Sequence, residues 1–316
     1  MITLEHVYIL TGVMFAMFAC GRALDRSSRR RWRSAAFWGT YALSFLAGSH
    51  LPDLLNGILL IVLVALAASG LAAPDAPSAP AERLRAAQRN GNLLFVPALT
   101  IPVVVLLGAL FAKQLHSGAA MLLEPAHATL VALAFAVLLA LALGYALLRV
   151  PLVAALREGR RLMEAVGWAA VLPQTLASLG AVFAAAGVGN VVGELVTKAI
   201  PMTNGFTSVI TYTFGMAVFT IIMGNAFAAF PVMTAGIGLP LIVGRFGGDP
   251  VIMAALGMLS GFCGTLMTPM AANFNIVPAA LLELPDRNGV IKVQIPTALM
   301  LLVANTALMT MFVFRR

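Results

Sequence analysis

Between Lys198 and Arg245 the chain has no Asp, Glu, Lys or Arg, and the run from Pro250 to Leu282 is equally free of charge. Runs of this length give a water-facing domain nothing with which to solvate its surface, so they confine the chain to lipid. Composition agrees: 61% of the residues are hydrophobic, 10% are charged, and mean hydropathy is +0.96. Backbone in hydrocarbon must satisfy its own hydrogen bonds, so the chain reads as an all-α integral membrane protein. Each uncharged run is also interrupted. The first holds Gly224-Asn225; the second holds Thr268-Pro269 and then Asn273 and Asn275. Broken backbone at membrane depth is tolerated only where protein or a water-filled cavity surrounds it, which points to a small-molecule or ion site.

A helix needs about 20 apolar residues to cross the hydrocarbon. Segments 4–24, 34–51, 54–72, 93–112, 127–148, 166–187 and 291–314 meet that need, with a divided region at 205–243 and a broken span at 250–283. The expected architecture is about eight transmembrane helices, one re-entrant helical hairpin and one discontinuous helix. It divides into a five-span scaffold region (1–148), a cytoplasmic basic loop (149–165) and a site-bearing region (166–316). The turn at Gly224-Asn225 could instead join two full spans. The absence of Lys or Arg beside it favours a turn inside the membrane, although arms of about 18 residues at 1.5 Å each are long for one.

The net charge of +8 is carried in short blocks between apolar runs, a pattern of membrane topology rather than of nucleic-acid binding. Arg26 to Arg33, Arg83 to Arg89 and Arg149 to Arg161 fall on one side of the bilayer without adjustment, and that side is expected to be cytoplasmic. Both termini then lie outside. Only Lys113, Lys198, Arg245, Arg315 and Arg316 of the 20 basic residues fall outside with them, the last two against the trend. Glu5 and His6 stand where a secretory signal would carry base, so residues 4–24 are expected to be a retained span.

Asn225 is suited to cap a half-helix beginning at Ala226, and Thr268 to cap one beginning at Pro269, where the missing amide costs nothing. Both would direct positive dipole ends inward, and the unwound carbonyls of Met223, Gly224 and Met267 would suit a sodium ion. Asn273 and Asn275 add amides one turn on. Neutral groups of this kind fit a carboxylate, whereas a proton relay would place Asp, Glu or His there.

The segments 172–189, 219–231 and 266–273 resemble one half of an ion transporter superfamily protein, a group that includes dicarboxylate, citrate and gluconate carriers. That superfamily has a hairpin tip like Ser-Asn-Thr and a helix break like Thr-Pro-Pro-Asn. Here Gly224 and Ala226 flank Asn225, and Met270 replaces the second proline. The whole chain is similar to the larger subunit of a two-component bacterial family known as 5-oxoproline transporters. The resemblance implies substrate binding by Gly224, Asn225, Ala226, Thr268, Pro269, Asn273 and Asn275. For a coupling ion, Na+ or H+, it implies Met223, Asn225, Met267 and Thr268. It further implies a smaller membrane partner, arranged as a heteromer or a dimer of heterodimers in the bacterial inner membrane. The chain itself offers one copy of the paired breaks, and Gly91-Asn92 to Pro97 is too polar in its approach to be the second, which points to a heteromeric partner or a homodimer.

The remaining polar residues read as structural. Cys20 and Cys263 are expected to be small buried hydrophobes, and His6, His50, His116 and His127 interfacial residues. Glu194 and Lys198 have ion-pair spacing, Gln174 and Thr175 are expected to bond between helices, and Gly167, Gly180 and Gly187 to mark close packing. The spans have no Ser-Lys, His-Glu-x-x-His or paired-Asp arrangement, and no enzyme activity is expected.

Overall fold

The computed structural model describes residues 2–26, 28–76, 80–111, 116–117, 120–121, 124, 127–148, 151–200, 202–272 and 274–315. It is all-α apart from a two-residue pairing of His116–Ser117 with Ala120–Met121, the one strand pair among the described residues. Among the described residues seven helices are long and apolar enough to cross a membrane: Leu4–Leu24, Arg83–Phe111, Ala128–Leu148, Val153–Ala185, Gly205–Met223, Ala226–Arg245 and Gly289–Phe312. Asp53–Ala68 and Pro250–Leu266 are shorter apolar helices. The protein is a multi-pass membrane protein. Its described chain separates into two compact units, Met1–Glu164 and Ala165–Arg316.

In the first unit, α1 (Leu4–Leu24) and α2 (Arg31–Ala47) pair around aromatic rings. Phe15 stacks on Trp38 at 5.5 Å between centroids, and Phe18, Phe37 and Tyr41 complete a buried cluster. α3 (Asp53–Ala68) packs on α2. After α4 (Pro80–Asn90), α5 (Phe95–Phe111) packs on α6 (Ala128–Leu148), where Gly108 lets Ala132 approach. Of the segment expected as a basic loop at 149–165, the part from Leu152 onward is helical, within α7 (Leu152–Val166). Its charges lie on one face of a helical period, a pattern that a count of Arg alone does not register.

The second unit continues with a 3-10 turn (Gly167–Val171), α8 (Leu172–Ala185) and α9 (Val188–Ala199), a helix where the sequence suggested only an external segment. α10 (Gly205–Met223) turns at Gly224-Asn225 into α11 (Ala226–Met233), which runs on as a π-helical segment (Thr234–Arg245). α12 (Pro250–Leu266), α13 (Ile276–Leu281) and α14 (Gly289–Phe312) follow. α10 is central. It lies parallel to α12, with Gly257 against Tyr212, Gly261 against Met216 and Gly264 against Thr220.

α10 is antiparallel to α14. Gly205 lies by the Phe314 ring, Thr213 Oγ1 and Thr306 Oγ1 share a 2.9 Å hydrogen bond, and Ala217 packs with Ala298 and Leu302. Continued residue for residue, that register sets Met223 level with about Pro296, so roughly 10 Å of α14 extends past the turn. The hairpin therefore ends short of its neighbour, yet its arms of 19 and 20 residues are each long enough to cross. Near the opposite end, the Asp249 amide donates to Val313 O at 2.7 Å, which holds the start of α12 to the end of α14.

Candidate functional site

Gly224 ends α10 in the left-handed region (φ 75°), and its amide donates to Thr220 O at 2.7 Å. Asn225 follows in extended backbone, and its side-chain oxygen accepts from the Phe227 amide at 2.8 Å. It is the N-cap of α11, as its residue type leads one to expect. The Ala226 end of α11 is thus the positive end of a helix dipole, placed at a turn with no charged residue in the surrounding run.

The second break lies against this turn. A Cβ on Gly224 would stand 2.6 Å from Met270 Cβ, so only a glycine allows the two backbones to approach this closely. Thr268 Oγ1 donates to Ile221 O at 2.9 Å, which satisfies a carbonyl near the end of α10 from the other break. The same hydroxyl accepts from the Met270 amide at 3.3 Å. Gly224, Thr268 and Met270 are therefore in one place.

The helix expected to begin at Pro269 does not. Residues 267–272 form turns, and regular helix resumes only at Ile276, in a piece of six residues. The cause is Asn275, whose Nδ2 donates to Thr265 O at 2.9 Å and to Thr268 O at 2.6 Å. By closing one carbonyl at the end of α12 and one just past it, it ties Asn275 back to Thr265 and Thr268, so no helix starts at Pro269 and no second dipole end meets the first. Pro269 is exposed, Thr268 is buried, and Met223 and Ala226 are buried while Asn225 and Met267 are half-buried. Asn273 lies outside the described residues.

Two buried oxygens here have no hydrogen-bond partner among the described residues: Asn275 Oδ1 and Thr220 Oγ1. An orphaned buried acceptor or hydroxyl carries a desolvation cost of about 1–3 kcal/mol, and in native proteins it calls for an explanation such as a water, an ion or a ligand. Thr220 was not among the sequence candidates. Its signal was available, as a hydroxyl one helical turn before the break at Gly224 in an otherwise apolar run. The aromatic rim was also missed: Phe227 meets Phe262 edge-on at 5.7 Å and Phe262 meets Phe274 at 6.3 Å, with Phe227 and Phe274 largely exposed beside the turn. In a chain with 18 phenylalanines nothing distinguishes these three by type.

Other sequence candidates fall elsewhere. Cys263 is buried but Cys20 is exposed. Thr175 bonds to Val171 O and Leu172 O of its own helical segment rather than across to another. Gly180 packs on Ala228 as expected, whereas Gly167 and Gly187 occupy turns with positive φ. Lys198 and Glu194 pair at 3.9 Å on the surface. Among the described residues no group of three or more His, Cys, Asp or Glu could hold a metal ion.

Over residues 5–314 the chain matches the family described as a protein of unknown function, DUF979. It belongs to that family. The match takes in both units and both breaks. No curated protein and no solved structure matches the chain.

Proposed function

We propose that the protein is the larger membrane subunit of a secondary active transporter for a small carboxylate, with 5-oxoproline as the first substrate to test. The observation that carries this reading is the junction of two helix breaks in a charge-free region, where Gly224 abuts Met270 and Thr268 bonds to Ile221 O. A capped helix start at Ala226 offers free amides and a positive dipole end to an anion. The orphaned oxygens of Thr220 and Asn275 add polar capacity with no formal charge. A cation, Na+ rather than H+, suits neutral oxygens of this kind, since no Asp, Glu or His stands in either break to relay a proton. One pair of breaks per chain calls for a complementary half from another chain, a smaller partner subunit in a bacterial inner membrane by the resemblance, and the basic blocks suggest an orientation with both termini outside.

The test is uptake of labelled 5-oxoproline by cells expressing the chain alone or with its genomic neighbour, with and without a sodium gradient. Asn225→Ala and Thr268→Ala are expected to lower uptake at least tenfold while the protein remains in the membrane. If both variants transported normally, the chain would be a structural subunit that scaffolds a transporting partner. Absence of uptake in every arm would remove the substrate assignment.

A further inference from the structure

We propose that the end of the first unit where α1, α2 and α3 meet is a binding surface for the headgroups of anionic phospholipids, formed by Arg26, Arg29, Arg30 and Arg31 with Trp32 as its interfacial anchor. These arginines fall within six consecutive positions, and Arg26, Arg29 and Arg30 are exposed. None has a carboxylate partner among the described residues.

Carboxylates are present at this end of the unit, but they serve other cations. Asp25 pairs with Arg22 at 2.7 Å, Asp75 pairs with Arg160 at 2.6 Å, and Glu164 pairs with Arg22. The buried arginine is neutralised and the surface ones are left open. Basic residues also occupy the first turn of α2, which has no acidic residue and no side-chain cap. Positive charge at the positive end of a helix dipole is unfavourable until an anion offsets it.

The segment is held in place. Arg33 Nη1 donates to Ser69 O at 2.8 Å, and Arg30 lies against Gly70, where a Cβ would stand 2.9 Å from Nη1. The Arg31 guanidinium sits over the Trp32 ring, 5.2 Å from its centroid, Trp32 is 65% exposed, and Leu24, the last residue of α1, is 80% exposed. Guanidinium matches phosphate in a bidentate fork, and an exposed indole at the end of a span belongs at headgroup depth. Polybasic segments beside a span are drawn to anionic leaflets by the same charge.

The experiment measures thermal unfolding of the full chain in detergent with phosphatidylglycerol or phosphatidylcholine added at equal concentration. Phosphatidylglycerol is expected to raise the midpoint more than phosphatidylcholine at about 50 mM salt, with the difference largely lost near 500 mM, where screening is strong. The variant Arg26→Gln/Arg29→Gln/Arg30→Gln/Arg31→Gln is expected to lose at least half of that lipid-specific difference. Equal effects of the two lipids on the wild type would overturn the proposal, as would a difference insensitive to salt or unchanged in the variant. If the fourfold variant does not fold, Arg29→Gln/Arg31→Gln carries the same comparison, and the salt dependence of the wild type stands without any variant. A matched shift with soluble glycerol phosphate would assign the surface to a free phosphate and sink the lipid claim.

Discussion

At the scale of the residue, Gly224 is constrained twice. Its φ of 75° is one that L side chains rarely adopt, and the space a Cβ would fill is taken by Met270 Cβ and backbone, 2.6 to 2.9 Å away. Backbone cannot move aside as a flexible side chain can, so strain and collision act together. Gly224→Ala is expected to destabilise the protein by about 1–3 kcal/mol and to separate the turn from the second break. A lowered unfolding midpoint in detergent checks it, and an unchanged midpoint would mean that the two breaks do not touch. Asn225 illustrates what residue type alone can convey: a short amide after a left-handed glycine is an N-cap by local chemistry, and it is one here. Thr268-Pro269 has an equally good local signature and fails, because Asn275, seven positions on, claims the Thr268 carbonyl for a loop. That competition is between a side-chain amide and the helix's own backbone for one carbonyl, and residue type alone does not decide it.

At the scale of the element, helix 3.6-residue geometry and small residues set the packing of the second unit. α9 lies on the π-helical segment through Gly189 and Gly193, and a Cβ on Gly193 would stand 3.1 Å from Gly236 Cα. The π geometry has a local cause in Pro240, which lacks an amide for the helical ladder, and in the flanking Gly236, Gly238 and Gly244. Gly193→Val is expected to force α9 away at a cost of about 1–3 kcal/mol, because its neighbour is backbone and cannot yield. Gly57→Ala, at a helical position with nothing within 4 Å, should leave the unfolding midpoint unchanged or raised. Equal losses in both variants would show that the α9 contact is not the cause. Apolar length placed α1 and α6 within a few residues, whereas the helical runs Arg83–Phe111 and Val153–Ala185 begin 10 and 13 residues before the expected spans. α7 and α9 were not seen as helices because charge and glycine broke their apolar runs, and hydropathy alone does not register a helix that is polar on one face.

At the scale of the whole molecule, the two units handle charge in opposite ways. The second unit has a core and two helix breaks without charge, while the first buries Arg22 and Glu164 together, with side chains 1% and 2% exposed. Arg22 ends α1, and its guanidinium also donates to Ala73 O and pairs with Asp25, so α1, the segment after α3 and α7 share one ionic junction. Such a junction adds little net stability over a well-packed apolar one, because desolvating both ions offsets their attraction. Breaking one side is different, since it strands the other charge. Glu164→Gln keeps the shape and removes the charge, and it is expected to cost about 3–5 kcal/mol because Arg22 stays buried with only partial compensation from Asp25 and Asp75. The double variant Arg22→Met/Glu164→Leu is expected to recover most of that loss, since no buried ion remains. Unfolding midpoints of the two variants decide it. If the double variant is as unstable as Glu164→Gln, the ionic junction itself stabilises the first unit.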